Sequence, residues 1–114
     1  VEGQLHGSLA QGLGQALFES IRYDESGQPL TASMMDYSMV HAPDVPAPKA
    51  DHLEHPAPSN PLGAKGTGEA GCIGMPAAVL NAAIDALAPF GVTDLQLPLQ
   101  PHRVWSAIQA ATDG

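Results

Sequence analysis

The 114 residues include one cysteine, Cys72, so the chain can close no disulfide within itself and has too few thiolates for an all-cysteine zinc or iron–sulfur site. Permanent cations are almost as scarce. Arg22, Lys49, Lys65 and Arg103 stand against twelve acidic residues, and the formal net charge of -8 excludes a surface built to neutralise nucleic-acid phosphates or acidic lipid headgroups. Long apolar runs are lacking too: "MPAAVLNAAIDALAPF" is interrupted by Asn81 and Asp85 and reads as too short to cross a bilayer. No targeting segment is visible, and the opening "VEGQLHGSLAQGLGQ", without a methionine, reads as the interior of a longer protein.

What is present suits an ordered domain. The length allows one core, and 44% hydrophobic residues is too many for a disordered chain. Leu9, Leu13, Leu17 and Ile21 recur every four positions and predict an amphipathic helix over 6–21. Gly7, Gly12 and Gly14 lie within it, each costing about 1 kcal/mol relative to alanine in an exposed helix, so close packing or a closely approaching ligand is expected there. Gln4, Gln11 and Gln15 lie among them.

"DESG" at 24–27 reads as a turn joining 21–23 to 31–35 in a hairpin. Prolines 43, 46, 48, 56, 58 and 61 make the next stretch an extended crossing, not a helix. Pro76 suits the first turn of a helix running to about Ala88, with Ala77, Leu80, Ile84 and Leu87 inward. "VTDLQLP" alternates as a short strand, and Pro101 opens a last helix burying Val104, Trp105 and Ile108. The expected fold is α+β, a small antiparallel sheet packed with helices around one glycine-rich loop. No internal repeat is seen.

That loop, "NPLGAKGTGEAGCIG", holds one acid, Glu69, among Gly63, Gly66, Gly68, Gly71 and Gly74. "GTGEAG" fits the dinucleotide pattern G-x-G-x-x-G, but no strand precedes it and Asp85 falls inside a helix rather than at a second strand's end. The phosphate-loop pattern fails because Lys65 precedes its glycines. What survives is a run of free amides leading into a helix, competent to receive an anion. Glu69 is read either as a helix cap or partner of Lys65, or as a general base with small neighbours leaving room for substrate. His52 and His55 lie in a proline-flanked loop and His6, His41 and His102 are isolated, so no metal site is expected from side chains of this chain. Cys72 reads as a small packed residue.

"GQLHGSLAQGLGQALFESIRYDESGQPLTASMMDYSM", followed by "NPLGAKGTGEAGCIGMPAAVLNAAIDAL" and "LPLQPHRVWSAI", resembles the C-terminal part of the molybdenum-binding subunit of the xanthine dehydrogenase, aldehyde oxidase and aerobic carbon monoxide dehydrogenase family. The order and spacing of the segments make the resemblance specific, and it covers nearly the whole chain. It implies that 1–114 is a segment of a larger molybdopterin-binding domain. It further implies Glu69 of G-x-K-G-x-G-E as the active-site base, Gln4 near the metal centre, and Gly3, Gly66 and Gly68 with backbone close to a molybdopterin cytosine dinucleotide. Lys65 matches a motif position and is counted with the cofactor-binding residues, and Gln11 matches a motif position whose role is structural.

The resemblance also implies [2Fe-2S] clusters and FAD on partner domains or subunits, a small-molecule substrate, and action in the cytoplasm or, in some members, the periplasm. Aldehydes, N-heterocycles and carbon monoxide stay open as substrates, because the segments that would choose among them lie outside this sequence. The chain alone is expected to be inactive. A rival reading makes it a noncatalytic remnant whose acidic surface binds a protein partner.

Overall fold

The computed structural model describes residues 1–112. In chain order these form helix α1 (Glu2–Leu17), a 3-10 turn (Ala42–Asp44), helix α2 (Ala70–Leu87), a second 3-10 turn (Ala88–Phe90) and helix α3 (Pro101–Thr112). Among the described residues there is no strand, and the fold is all-α. The α+β expectation with its small antiparallel sheet is therefore wrong.

The hairpin fails for a local reason. Its turn forms as expected: Gly27 sits at φ 84°, and the Asp24 carboxylate accepts from the Ser26 amide, the Ser26 hydroxyl and the Gln28 amide at 2.9, 2.7 and 2.9 Å. Pairing then stops at a single bridge between Tyr23 and Pro29. The Arg22 amide is taken by the Thr31 hydroxyl at 3.0 Å, and Ser33 starts a new turn by accepting the Tyr37 amide at 2.9 Å. Residues 92–98 are likewise no strand. Val92, Leu95 and Leu99 turn inward as a loop cluster, and the Leu99 amide reaches the Ala16 carbonyl on α1 at 2.7 Å.

α1 begins and ends about four residues earlier than the leucine spacing suggests. α2 begins at Ala70, so Pro76 lies in its interior and not in its first turn. Proline there removes one intrahelical bond, and packing of the first turn against α1 offsets the loss. Together with the 3-10 turn, α2 gives 21 residues, Ala70–Phe90, of mean hydropathy 1.5. By length and composition it is thus able to cross a membrane, contrary to the expectation from sequence. Here Val79, Leu80, Ala83, Ile84 and Leu87 pack against the Val92, Leu95 and Leu99 cluster together with Val104 and Ile108 of α3, while Asn81 and Asp85 stay on the exposed side. Ala77 is exposed rather than inward. Trp105, expected to pack inward, is 63% exposed.

The core is small for the surface it must hold. A compact protein of 11.7 kDa would expose about 5,900 Å², and this chain exposes 8408 Å². Its radius of gyration, 18.0 Å, also exceeds the roughly 13 Å of a compact domain of this length. Met35 and Leu53 are each 97% exposed. Large apolar side chains are thus left uncovered by the described residues.

α1 and α2 meet through glycine. A Cβ on Gly12 would stand 2.6 Å from the Met75 Cβ and 3.1 Å from the Cys72 Cα, and backbone at that distance has no room to yield. Gly12→Ala should therefore lower the stability of the parent protein by about 1–3 kcal/mol through overpacking. An unchanged or raised Tm would refute the close crossing. A second expectation concerns pH. Bonds from Ser26 and Gln28 hold the Asp24 carboxyl below its ordinary value of 3.8, so what it contributes to the turn is complete above that value and lost as pH falls through the lower folded-state value. Amide protection at Gln28 should drop on that acidification and be unaffected between pH 5 and 8.

Candidate functional site

Three residues of α1, Gln4, Ser8 and Gly12, are spaced by four and so lie along one side of the helix. Against them lies the start of α2. Ser8, 3% exposed, accepts the Gly71 amide at 3.1 Å and donates its proton to the Leu5 carbonyl at 3.1 Å. Gly71 is buried, and a side chain there would strike Ser8 and the Leu9 amide. One turn toward the start of α1, the Gln4 Oε1 lies 3.4 Å from where a Cβ on Gly68 would stand. The two motifs, 3–4 and 66–69, are thus brought together by the crossing of the helices that carry them.

Glu69 is the N-cap residue of α2, with φ -105° and ψ 0°. Its carboxylate makes no capping bond and, among the described residues, no ion pair. Both bland readings of Glu69, as cap and as partner of Lys65, therefore lack support. The carboxylate is left exposed beside Gly68. The neighbouring thiol is already engaged, since Cys72 Sγ donates to the Glu69 carbonyl at 3.2 Å.

The approach to the motif is braced. Asn60 exchanges two bonds with Ala64, at 3.1 and 3.0 Å, and Gly63 takes φ 64° where a Cβ would stand 2.7 Å from the Pro56 Cβ. Only glycine satisfies both conditions there. Beyond this brace the backbone opens: a Cβ on Gly66 or Gly3 would meet nothing within 4 Å. Lys65 lines a cleft of about 300 Å³ with Leu53, Glu54, His55, Pro56 and Gly63. Gln11 is exposed on α1. No group of three or more histidine, cysteine or acidic residues with metal-binding geometry occurs among the described residues.

Sequence reasoning missed Ser8. Its signal was the four-residue spacing from Gln4 to Gly12, read as a helix but not as a contact.

Comparison with known proteins adds to this geometry. Residues 1–46 match the molybdopterin cofactor-binding domain family. The large subunit of nicotine 6-hydroxylase from Paenarthrobacter nicotinovorans is 42% identical over 113 residues, covering 99% of this chain and 14% of that protein. The carbon monoxide dehydrogenase large chain of Hydrogenophaga pseudoflava is 36% identical, over 96% of this chain and 14% of its own length. Among solved structures, quinoline 2-oxidoreductase from Pseudomonas putida 86 superposes with a TM-score of 0.89 at 44% identity, covering 95% of this chain and 14% of that one. The chain thus spans about 14% of the length of the relatives it matches. With both glycine motifs, their order and their meeting point accounted for, this chain belongs to the xanthine dehydrogenase, aldehyde oxidase and carbon monoxide dehydrogenase family, matching the C-terminal region of its molybdenum-binding large subunits.

Proposed function

We propose that this chain forms part of the active site of a molybdenum-dependent hydroxylase, with Glu69 as its general base. The observation that carries the reading is Glu69: it stands at the start of a helix, next in sequence to the Gly68 that meets Gln4, and its carboxylate makes no hydrogen bond or ion pair among the described residues. Its backbone, at φ -105° and ψ 0°, is already helical, and the side chain makes no cap.

The residues fit a molybdopterin group. Gly3 and Gly66 have open space where side chains would stand, Gly68 meets only the Gln4 amide, and such bare backbone lets a large anionic cofactor approach closely. Gly3, Gly66 and Gly68 would then present backbone to the cofactor, in its cytosine dinucleotide form, and Gln4 would offer both an amide donor and an acceptor. When bound, the molybdenum centre supplies the two-electron chemistry of substrate oxidation. Glu69 holds and moves the proton: its oxygens accept it at the reacting centre, and the water-exposed side of the loop carries it away. Lys65, an exposed cation at the edge of the loop, belongs to the same proposal as a partner for the anionic cofactor.

The substrate class is an aldehyde, an N-heterocycle or carbon monoxide, oxidised with water-derived oxygen. Electrons leave through [2Fe-2S] and FAD centres on partner domains or subunits, for which this chain's single cysteine provides no ligand set. Action in the cytoplasm is part of the same proposal.

In the full-length enzyme, Glu69→Gln should keep its molybdenum and lose activity by about a thousandfold, the scale of a lost general base. Activity is read against nicotine, quinoline, xanthine, benzaldehyde and carbon monoxide with a dye as electron acceptor, and metal by elemental analysis. Turnover near wild type on a panel substrate would sink the assignment. Gln4→Ala should instead lower molybdenum occupancy or perturb the spectrum of the metal centre, and unchanged occupancy, spectrum and kinetics would remove Gln4 from the site.

A further inference from the structure

We propose that Ser8 caps α2 from α1, in place of Glu69, and by doing so keeps the Glu69 carboxylate free for proton transfer. The inference rests on the reading of Glu69 as base and adds a positioning residue to it. A helix start leaves its first amides without intrahelical partners, and the N-cap side chain ordinarily takes the second or third of them. With Glu69 at the N-cap, the second amide is that of Gly71.

That amide is already taken. Its acceptor is the Ser8 hydroxyl at 3.1 Å, fixed in turn by donating to the Leu5 carbonyl at 3.1 Å, and both Ser8, 3% exposed, and Gly71 are buried. Glu69 makes no capping bond. A second helix therefore does from outside what the local carboxylate would otherwise do, and Gly71 is glycine because a side chain there would occupy the place of Ser8.

Removing the hydroxyl would leave the Gly71 amide buried without a partner. The nearest competent acceptor in sequence is the N-cap carboxylate itself. Glu69 would fold back onto its own helix, and its carboxylate would leave the free position from which it serves the reacting centre. Other titratable groups on the packed elements are Lys65 and Cys72 on its own side and Glu2 and His6 on the first turns of α1. None forms an ion pair with Glu69, so none competes for this control.

The test uses the full-length holoenzyme and the panel substrate it turns over fastest. Ser8→Ala should lower kcat about tenfold, with molybdenum content and KM within twofold of wild type. Ser8→Thr, which keeps the hydroxyl, should restore kcat. An unchanged kcat, or a loss of rate that tracks loss of molybdenum, would overturn the proposal.

A second measurement needs no Ser8 variant and no activity. Hydrogen exchange of the peptide carrying Gly71 should be the same in Glu69→Gln as in wild type, because Ser8 and not Glu69 holds that amide. Faster exchange there would show Glu69 to be the cap and overturn the proposal. The exchange result does not depend on whether Glu69 is the base, which the activity of Glu69→Gln decides separately.

Discussion

Close contact at two glycines sets how the helices α1 and α2 meet. Met75 and the Cys72 backbone fill the place of a side chain at Gly12, and Ser8 fills it at Gly71, so α1 and α2 approach until the Ser8 hydroxyl bridges to the Gly71 amide. With this crossing fixed, Gln4 has to lie over Gly68, because it is one helical turn from Ser8. Glu69 has to stand at the head of α2, because Gly71 is bonded where a helix needs its second amide bonded. The far half of α2 is then directed onto the cluster of Val92, Leu95 and Leu99. Position at the site comes from glycine contact and hydrogen bonds, and bulk stability from apolar burial at the opposite end of α2.

This division explains what could be read in the sequence. Helical periodicity is local, so α1, α2 and α3 were all legible from leucine spacing, a proline at a helix start and apolar residues three or four apart. A strand requires a partner, and alternation cannot say whether one exists. Residues 21–35 carried the right turn and the right alternation, yet Thr31 and Ser33 used side-chain and turn bonds where a ladder would have needed main chain. The start of α2 was misread for a related reason. Pro76 is a strong local signal for a helix beginning, and the contact that lets the helix begin six residues earlier comes from α1, sixty residues away in sequence.

The candidate site divides in the same way. The residues proposed for it, Gly3, Gln4, Gly66, Gly68 and Glu69, stood out because a lone acid among glycines is conspicuous in sequence and because the two motifs resemble a known pattern. Ser8 was not. A serine inside a helix carries no signal of its own, since bonding back to the preceding turn is common for it, and its functional partner lies 63 residues on. Trp105 failed in the opposite sense. Its place in an amphipathic pattern pointed inward, but at 63% exposure it faces outward from the only core this segment makes among its described residues.

An uncompensated cost indicates how the segment is used. Gly12 and Gly71 forgo side chains because another helix fills the space, and Gly63 because its backbone requires it. Gly3, Gly7 and Gly66 have no such reason within the chain: nothing lies within 4 Å of where their side chains would stand. Two of these interrupt α1, at about 1 kcal/mol each, and both lie on its exposed side near Gln4. Empty space gives no return for that cost. The compensating contact must come from outside these residues, and the surface in excess of a compact fold says the same of the chain as a whole. Under the function proposed above, a cofactor and the rest of a larger protein would supply that contact at Gly3, Gly66 and Glu69.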